Sequence, residues 1–175
     1  MLAKLKDIST FIFDVDGVLT NGKILVTEHG EQLREFNIKD GYAMQLAVKK
    51  GFQMAVITGA KTKAVEMRMQ GLGIKSIYLN VSYKLPVFLE FLKQNNLQAG
   101  EVIYVGDDLP DKEIMERVGF AVAPADAAAE IKELSAYISP FNGGEGVVRD
   151  IIEKVLKVQG KWFDVQPNAN DGSLK

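Results

Sequence analysis

The chain has 175 residues, a formal net charge of −2 and no cysteine. That length fits one domain with its own core, and the missing cysteine excludes disulfides, thiol nucleophiles and zinc–thiolate sites. Lys and Arg are scattered, which speaks against a nucleic-acid partner. No apolar run reaches the ~18 residues of a membrane span and residues 1–9 lack a signal-peptide core, so the chain reads as cytoplasmic with no membrane partner.

In chain order, residues 10–15 (TFIFDV) form a β-branched and aromatic run that reads as a buried strand ending in Asp-Gly. Residues 23–26 and 33–38 flank Glu28-His29-Gly30 and read as a hairpin, about 22–38 in all. Asp40 is placed to cap a helix running to Lys50. From there strands at 53–57, 76–79, 101–105, 120–122 and 136–138 alternate with helices at 61–70, 84–95, 110–118, 127–134 and 146–158. This alternation predicts an α/β, Rossmann-like, doubly wound and mainly parallel sheet with helices on both faces and a small hairpin after the first strand. Residues 1–160 read as the single domain, and 161–175, around Trp162 and Phe163, as a polar C-terminal tail.

Ligands of open parallel sheets bind beyond the carboxyl ends of the strands. The first strand ends in Asp14 and Asp16, and the strand at 53–57 ends in Thr58-Gly59. The strand at 101–105 ends in Gly106-Asp107-Asp108, with Asp111 a turn later, and Lys84 opens the helix after the third parallel strand. Carboxylates gathered this way need a cation, and hard oxygen donors favour Mg2+. Lys84 and the metal can neutralise a phosphoryl group, Thr58 can hydrogen-bond its oxygens, and Gly17 and Gly59 allow backbone N–H groups close to it. Asp14 can serve as a nucleophile through an aspartyl-phosphate, and Asp16, two residues on, as general acid and base.

The segments Phe13-Asp14-Val15-Asp16-Gly17-Val18-Leu19-Thr20, Ile57-Thr58-Gly59, Lys84 and Gly106-Asp107-Asp108 with Asp111 resemble the four motifs of the haloacid dehalogenase superfamily, in order. The resemblance implies that Asp14 is the nucleophile and Asp16 the acid/base. It also implies that Asp14 and Asp107 hold magnesium by side chain and Asp16 by its backbone carbonyl, with Asp108 and Asp111 around the metal. An acidic residue at Asp16 favours a phosphatase over the superfamily's ATPases and dehalogenases.

The only insertion after the first motif is a hairpin, and only a helix and strand separate the second and third, so no cap domain is expected. The chain is thus similar to the capless branch typified by 3-deoxy-D-manno-octulosonate 8-phosphate (KDO 8-phosphate) phosphatase. Further features in common are Asp40-Gly41-Tyr42, read as a turn, and Gly143-Gly144-Glu145-Gly146 followed by Arg149. The resemblance implies a phosphorylated sugar acid substrate, a role in lipopolysaccharide precursor synthesis, and a homo-oligomer, a tetramer, in which a neighbour's hairpin or tail covers the site. The apolar content of the hairpin, which would be unstable protruding alone, argues for pairing between subunits independently. Ala60 and Glu145 stand where the branch often has Arg, which keeps a related nine-carbon sugar acid 9-phosphate (KDN or sialic acid type) as an alternative. A phospho-acceptor or non-catalytic domain is the alternative of another class.

Simpler readings stand beside these. Thr58-Gly59 alone would be a helix cap, Lys84 alone a solvated lysine, and Asp108 or Asp111 a helix N-terminus acid. His29 reads as an exposed loop residue that a neighbour could bring near substrate, Met67 and Met69 as core or interface fillers, and Arg149 as either a surface ion pair or a carboxylate-binding group.

Overall fold

Apolar runs of four or five residues between turn residues become strands, and longer amphipathic runs become the helices that cover them. The computed structural model describes residues 2–162, so the part of the tail beyond Trp162, with any contact it makes to a neighbour, lies outside the described residues. The elements are α1 (Leu2–Leu5), β1 (Thr10–Phe13), β2 (Leu25–Val26), β3 (Gln32–Leu33), α2 (Ile38–Lys49), β4 (Gln53–Ile57), α3 (Lys63–Gly71), β5 (Ser76–Tyr78), α4 (Lys84–Gln94), β6 (Val102–Val105), α5 (Lys112–Met115), β7 (Phe120–Ala123), α6 (Ala129–Leu134), β8 (Tyr137–Ile138) and α7 (Val147–Val158). One six-stranded sheet has the order β5-β4-β1-β6-β7-β8, with every pairing parallel. It is a doubly wound α/β fold, and no cap domain stands among the described residues.

The strands β1, β6 and β7 are buried along their whole length. They read as continuous apolar runs because helices cover both faces. Phe11 and Phe13 point into one core with Met44 of α2, Met69 of α3 and Ile151 of α7. Ile12 points the other way, against Phe88 and Phe91 of α4, Ile114 of α5 and Ile131 of α6. Each fully buried side chain of this size contributes about 1.5–3 kcal/mol. The chain order doubles back at β1: it runs outward through β4 to β5, then crosses to β6 on the other side. The switch point, where such sheets bind ligands, therefore lies at the end of β1.

The hairpin strands are shorter than the sequence suggests. Only Leu25–Leu33 and Val26–Gln32 pair, in a separate two-stranded ribbon. Leu25 and Val26 are 67% and 62% exposed, so no core within the chain extends the ladder.

Asp40 does not cap its own helix, and Asp40-Gly41-Tyr42 is helix rather than turn. Asn37 is the N-cap of α2, its side chain accepting from the Lys39 N–H. Asp40 lies in the first turn, buried, and its Oδ1 accepts the Arg149 N–H at 2.7 Å, in the first turn of α7. The N-cap of α7 is Gly146, which has no side chain to do this. Asp40 thus ties α2 to α7. Asp40→Ala should lower unfolding free energy in urea by about 1 kcal/mol, the usual worth of a cap, while Asp40→Asn retains most of it. Equal stability of Asp40→Ala and the parent chain would contradict this assignment.

Candidate active site

Three neighbouring strands deliver the acidic cluster. In register, Phe13 sits between Val56 of β4 and Val105 of β6, so the residues just after them are neighbours. Asp14 follows β1, Thr58 follows β4, and Gly106-Asp107 follow β6. The Asp14 N–H continues the ladder by donating to the Val105 carbonyl at 3.1 Å. The next residues fold tightly: the N–H groups of Val18, Leu19 and Thr20 all donate to the Val15 carbonyl. The buried Thr20 hydroxyl staples this loop, donating to Val15 O and accepting from the Gly17 and Gly22 N–H groups. Gly17 has φ +89, and a Cβ there would collide with the Asp107 carboxylate. Glycine is required on both counts.

Lys84 is buried at the start of α4. Its ammonium lies 2.9 Å from Asp14 Oδ1 and 2.7 Å from Asp111 Oδ1. Asp111 is fully engaged, since Oδ1 also accepts the Tyr104 hydroxyl at 2.6 Å and Oδ2 accepts the Asp107 N–H at 3.1 Å. Burial and the Asp111 charge push the Tyr104 hydroxyl well above its usual range, so it stays a donor. Burial alone would lower the Lys84 pKa, but Asp14 and Asp111 outweigh it and keep the ammonium charged. Asp111 is thus an orienting group that holds Lys84 and the backbone of Asp107 in place.

Asp14, Asp107 and Asp111 each place one carboxylate oxygen within 4.8 Å of the others. Burial, then repulsion from Asp111, raises Asp14 to about 6 despite Lys84. Burial, then repulsion from Asp14 and Asp111, raises Asp107 to about 8. Asp107 Oδ1 is buried with no hydrogen-bond partner among the described residues. Three carboxylates face one ammonium, and one oxygen is left open. That donor set fits a hard dication such as magnesium.

A pH dependence follows. With both aspartates raised above their ordinary 3.8, the folded metal-free chain binds more protons than the unfolded chain between about pH 4 and 8. Its stability should fall as pH rises through that window. A dication binds the ionised carboxylates and restores stability most at the upper end. Melting temperatures in chelator should fall from pH 5 to pH 8, and the gain on adding magnesium should be larger at pH 8. An equal gain at both pH values would contradict the arrangement.

Asp16 points elsewhere. Its two oxygens accept from Arg34, Nε to Oδ1 at 2.6 Å and Nη2 to Oδ2 at 2.9 Å. Asp16 and Arg34 line an open cleft of about 530 Å3 together with Gln32, Gly59, Ala60 and Lys61. Thr58 is buried, and its Oγ1 accepts the Ala60 N–H at 3.2 Å. Asp108 is exposed and caps the short 3-10 turn at Leu109–Asp111, so it lies outside the cluster.

Other candidates separate from the site. Arg149 pairs with Glu153 at 3.3 Å and lies over the Trp162 ring. With Glu145 it lines a second cleft of about 550 Å3, which contains no residue of the four sequence motifs. Gly143 and Gly144 instead pack on the Asp14 loop: Gly144 N–H donates to Val18 O at 2.9 Å, and a Cβ on Gly143 would collide with Gly17 O. His29 is exposed, and its neighbour Gly30 lines the 530 Å3 cleft. Met69 is core and Met67 is exposed.

Residues 82–151 match the family described as haloacid dehalogenase-like hydrolase. Over 161 residues the chain is 41% identical to the 3-deoxy-D-manno-octulosonate 8-phosphate phosphatase of Escherichia coli K12, covering 92% of this chain and 86% of that relative. The chain belongs to this phosphatase family of haloacid dehalogenase-like hydrolases. A crystal structure of the Yersinia pestis phosphatase superposes with a TM-score of 0.90 at 36% identity, covering 92% of this chain and 87% of that one. The Moraxella catarrhalis phosphatase, solved in complex with magnesium, phosphate and KDO, gives 0.89 at 32% identity and 92% of both chains. Within this family frame, the sequence motifs point to Asp14, Asp16, Thr58, Lys84 and Asp107, but not to Arg34 or Tyr104.

Proposed function

We propose that the protein is a magnesium-dependent phosphatase that hydrolyses KDO 8-phosphate to KDO and inorganic phosphate, in lipopolysaccharide precursor synthesis. The observation that carries the reading is the buried Asp14–Lys84–Asp107–Asp111 cluster at the switch point, with Asp16 two residues beyond Asp14 on the neighbouring open cleft. The named relatives supply the substrate class. In this reading Asp14, held by Lys84, attacks phosphorus and forms an aspartyl-phosphate, which water then hydrolyses. Asp16 gives a proton to the leaving sugar oxygen and later takes one from the attacking water. Gly17, Thr58, Gly59 and Lys84 hold the phosphoryl oxygens. Asp14 and Asp107 by side chain and Asp16 by its carbonyl would hold magnesium. The metal, when bound, neutralises phosphoryl charge and relieves the repulsion within the acidic cluster. The related nine-carbon substrates keep a place because Ala60, which lines the cleft, and Glu145 stand where the branch often has Arg.

The proposal includes one phosphatase domain at residues 1–160 with a tail at 161–175, a cytoplasmic location, and a homotetramer. No helix among the described residues is long and apolar enough to cross a membrane. Support for the oligomer comes from the exposed Ile24, Leu25, Val26, Leu33 and Ile38 of the hairpin and the residues after it, an apolar surface that a second copy would bury. Light scattering should read about four chain masses at micromolar concentration, and a monomer there would overturn the tetramer. The function is tested by phosphate release with magnesium from KDO 8-phosphate, nine-carbon 9-phosphates and hexose phosphates. A strong preference for KDO 8-phosphate is expected, and equal weak rates on all would sink the substrate assignment.

A further inference from the structure

Arg34 follows β3 in the return arm of the hairpin, and its side chain is only 4% exposed. Its fork lies on the two oxygens of Asp16, and Nη1 donates to Gln32 O at 3.4 Å. This is the planar, two-bond match that guanidinium makes with carboxylates in general. The carboxylate it holds belongs to the chain itself, and both groups line the open 530 Å3 cleft beside Gly59 and Lys61. Asp16 and Gly59 line it and follow Asp14 and Thr58 closely in the chain, so the cleft is the candidate place for the leaving sugar. While both Asp16 oxygens lie on the guanidinium, neither is free to face the leaving oxygen. A ligand that brings its own carboxylate into the cleft can take the fork from Asp16 while the guanidinium stays paired throughout.

We propose that Arg34 is the carboxylate-binding residue for the substrate: on binding of a sugar acid phosphate its guanidinium passes from Asp16 to the sugar's carboxylate, freeing Asp16 to face the leaving oxygen. The inference rests on the sugar acid phosphate reading above. It makes the hairpin a specificity element and links acceptance of an acid to the readiness of Asp16. A purely structural Arg34, pinning the hairpin to the loop after β1, would serve all phosphate esters alike.

The test compares kcat/KM for KDO 8-phosphate and for a hexose 6-phosphate, which has no carboxylate, in the parent chain, Arg34→Gln and Arg34→Lys. One charged bidentate contact corresponds to about 10- to 100-fold in binding. Arg34→Gln should therefore lower the ratio of the two kcat/KM values by about that factor, mainly through KM for the acid. Arg34→Lys, with charge but no fork, should keep an intermediate ratio, and it carries the test if Arg34→Gln does not fold. Equal losses on both esters, or no preference for the acid in the parent chain, would overturn the inference and leave the phosphatase reading standing. Parent protein inactive on both esters would overturn that reading as well.

Discussion

Asp14→Asn should abolish phosphate release, by about 10^4-fold or more, while the chain stays folded. An amide of the same shape cannot displace at phosphorus, and losing a nucleophile outright typically removes nearly all of the chemical acceleration. The structure adds a signature that a general loss of fold would not give. Asp14 is buried, and burial and its acidic neighbours raise its pKa to about 6 in the metal-free chain. Removing its charge relieves repulsion with Asp111 and Asp107, so in chelator near pH 8 the variant should melt no lower than the parent. Magnesium, having lost a charged ligand, should stabilise it less. Turnover surviving in Asp14→Asn would remove the covalent mechanism, and a large fall in metal-free melting temperature would remove the electrostatic account of the cluster.

Lys84→Met should be damaging in two separable ways. The Lys84 ammonium bridges Asp14 and Asp111 at 2.9 and 2.7 Å with its side chain 5% exposed. Deleting one member of a buried charge group leaves the rest uncompensated, at a typical cost of about 3–5 kcal/mol. Urea unfolding in chelator should show a loss of that order near pH 8. The loss should shrink toward pH 5, where the carboxylates can take up protons instead. Magnesium should recover part of it by replacing one cation with another. Activity should remain low, down about 10^3-fold, because the positive group aimed at the phosphoryl oxygens is missing. An unchanged unfolding midpoint in chelator would contradict the role given to Lys84.

The parts legible in the sequence were those that local order dictates. Short apolar runs ended by Asp, Thr-Gly or Gly-Asp mark strands whose next residue enters the ligand edge, so Asp14, Thr58 and Asp107 could be placed before any coordinates. Register then does the rest, because β4, β1 and β6 are neighbours. What stayed hidden depends on partners far along the chain. Arg34 looks like an ordinary hairpin residue until the hairpin folds back over Asp16. Tyr104 shares a face of β6 with Val102 and reads as a core residue, and nothing local shows that its hydroxyl reaches Asp111. Asp40 has the right chemistry for a cap, but the helix it serves begins more than a hundred residues later. The helix expected over 110–118 is only Lys112–Met115. Pro110 sits in a 3-10 turn capped by Asp108, and Gly119 donates back to the Ala99 carbonyl.

These cases share a cause. Propensity and periodicity report on neighbours within a few residues, whereas burying charge requires partners from several elements at once. The acids were therefore visible as a set, while the groups that orient them were not. Asp111 illustrates the difference: its place after β6 suggested a metal neighbour, and it does stand in the acidic cluster, but nothing local showed that its oxygens also hold Lys84, Tyr104 and the Asp107 N–H.

In the proposed reaction phosphate passes through Asp14 rather than directly to water. The most direct measurement is the stereochemical course at phosphorus, using an ester made chiral with oxygen isotopes and turned over with magnesium. Two successive in-line displacements, first by Asp14 and then by water, predict retention of configuration; inversion would show a single displacement by water and contradict the account.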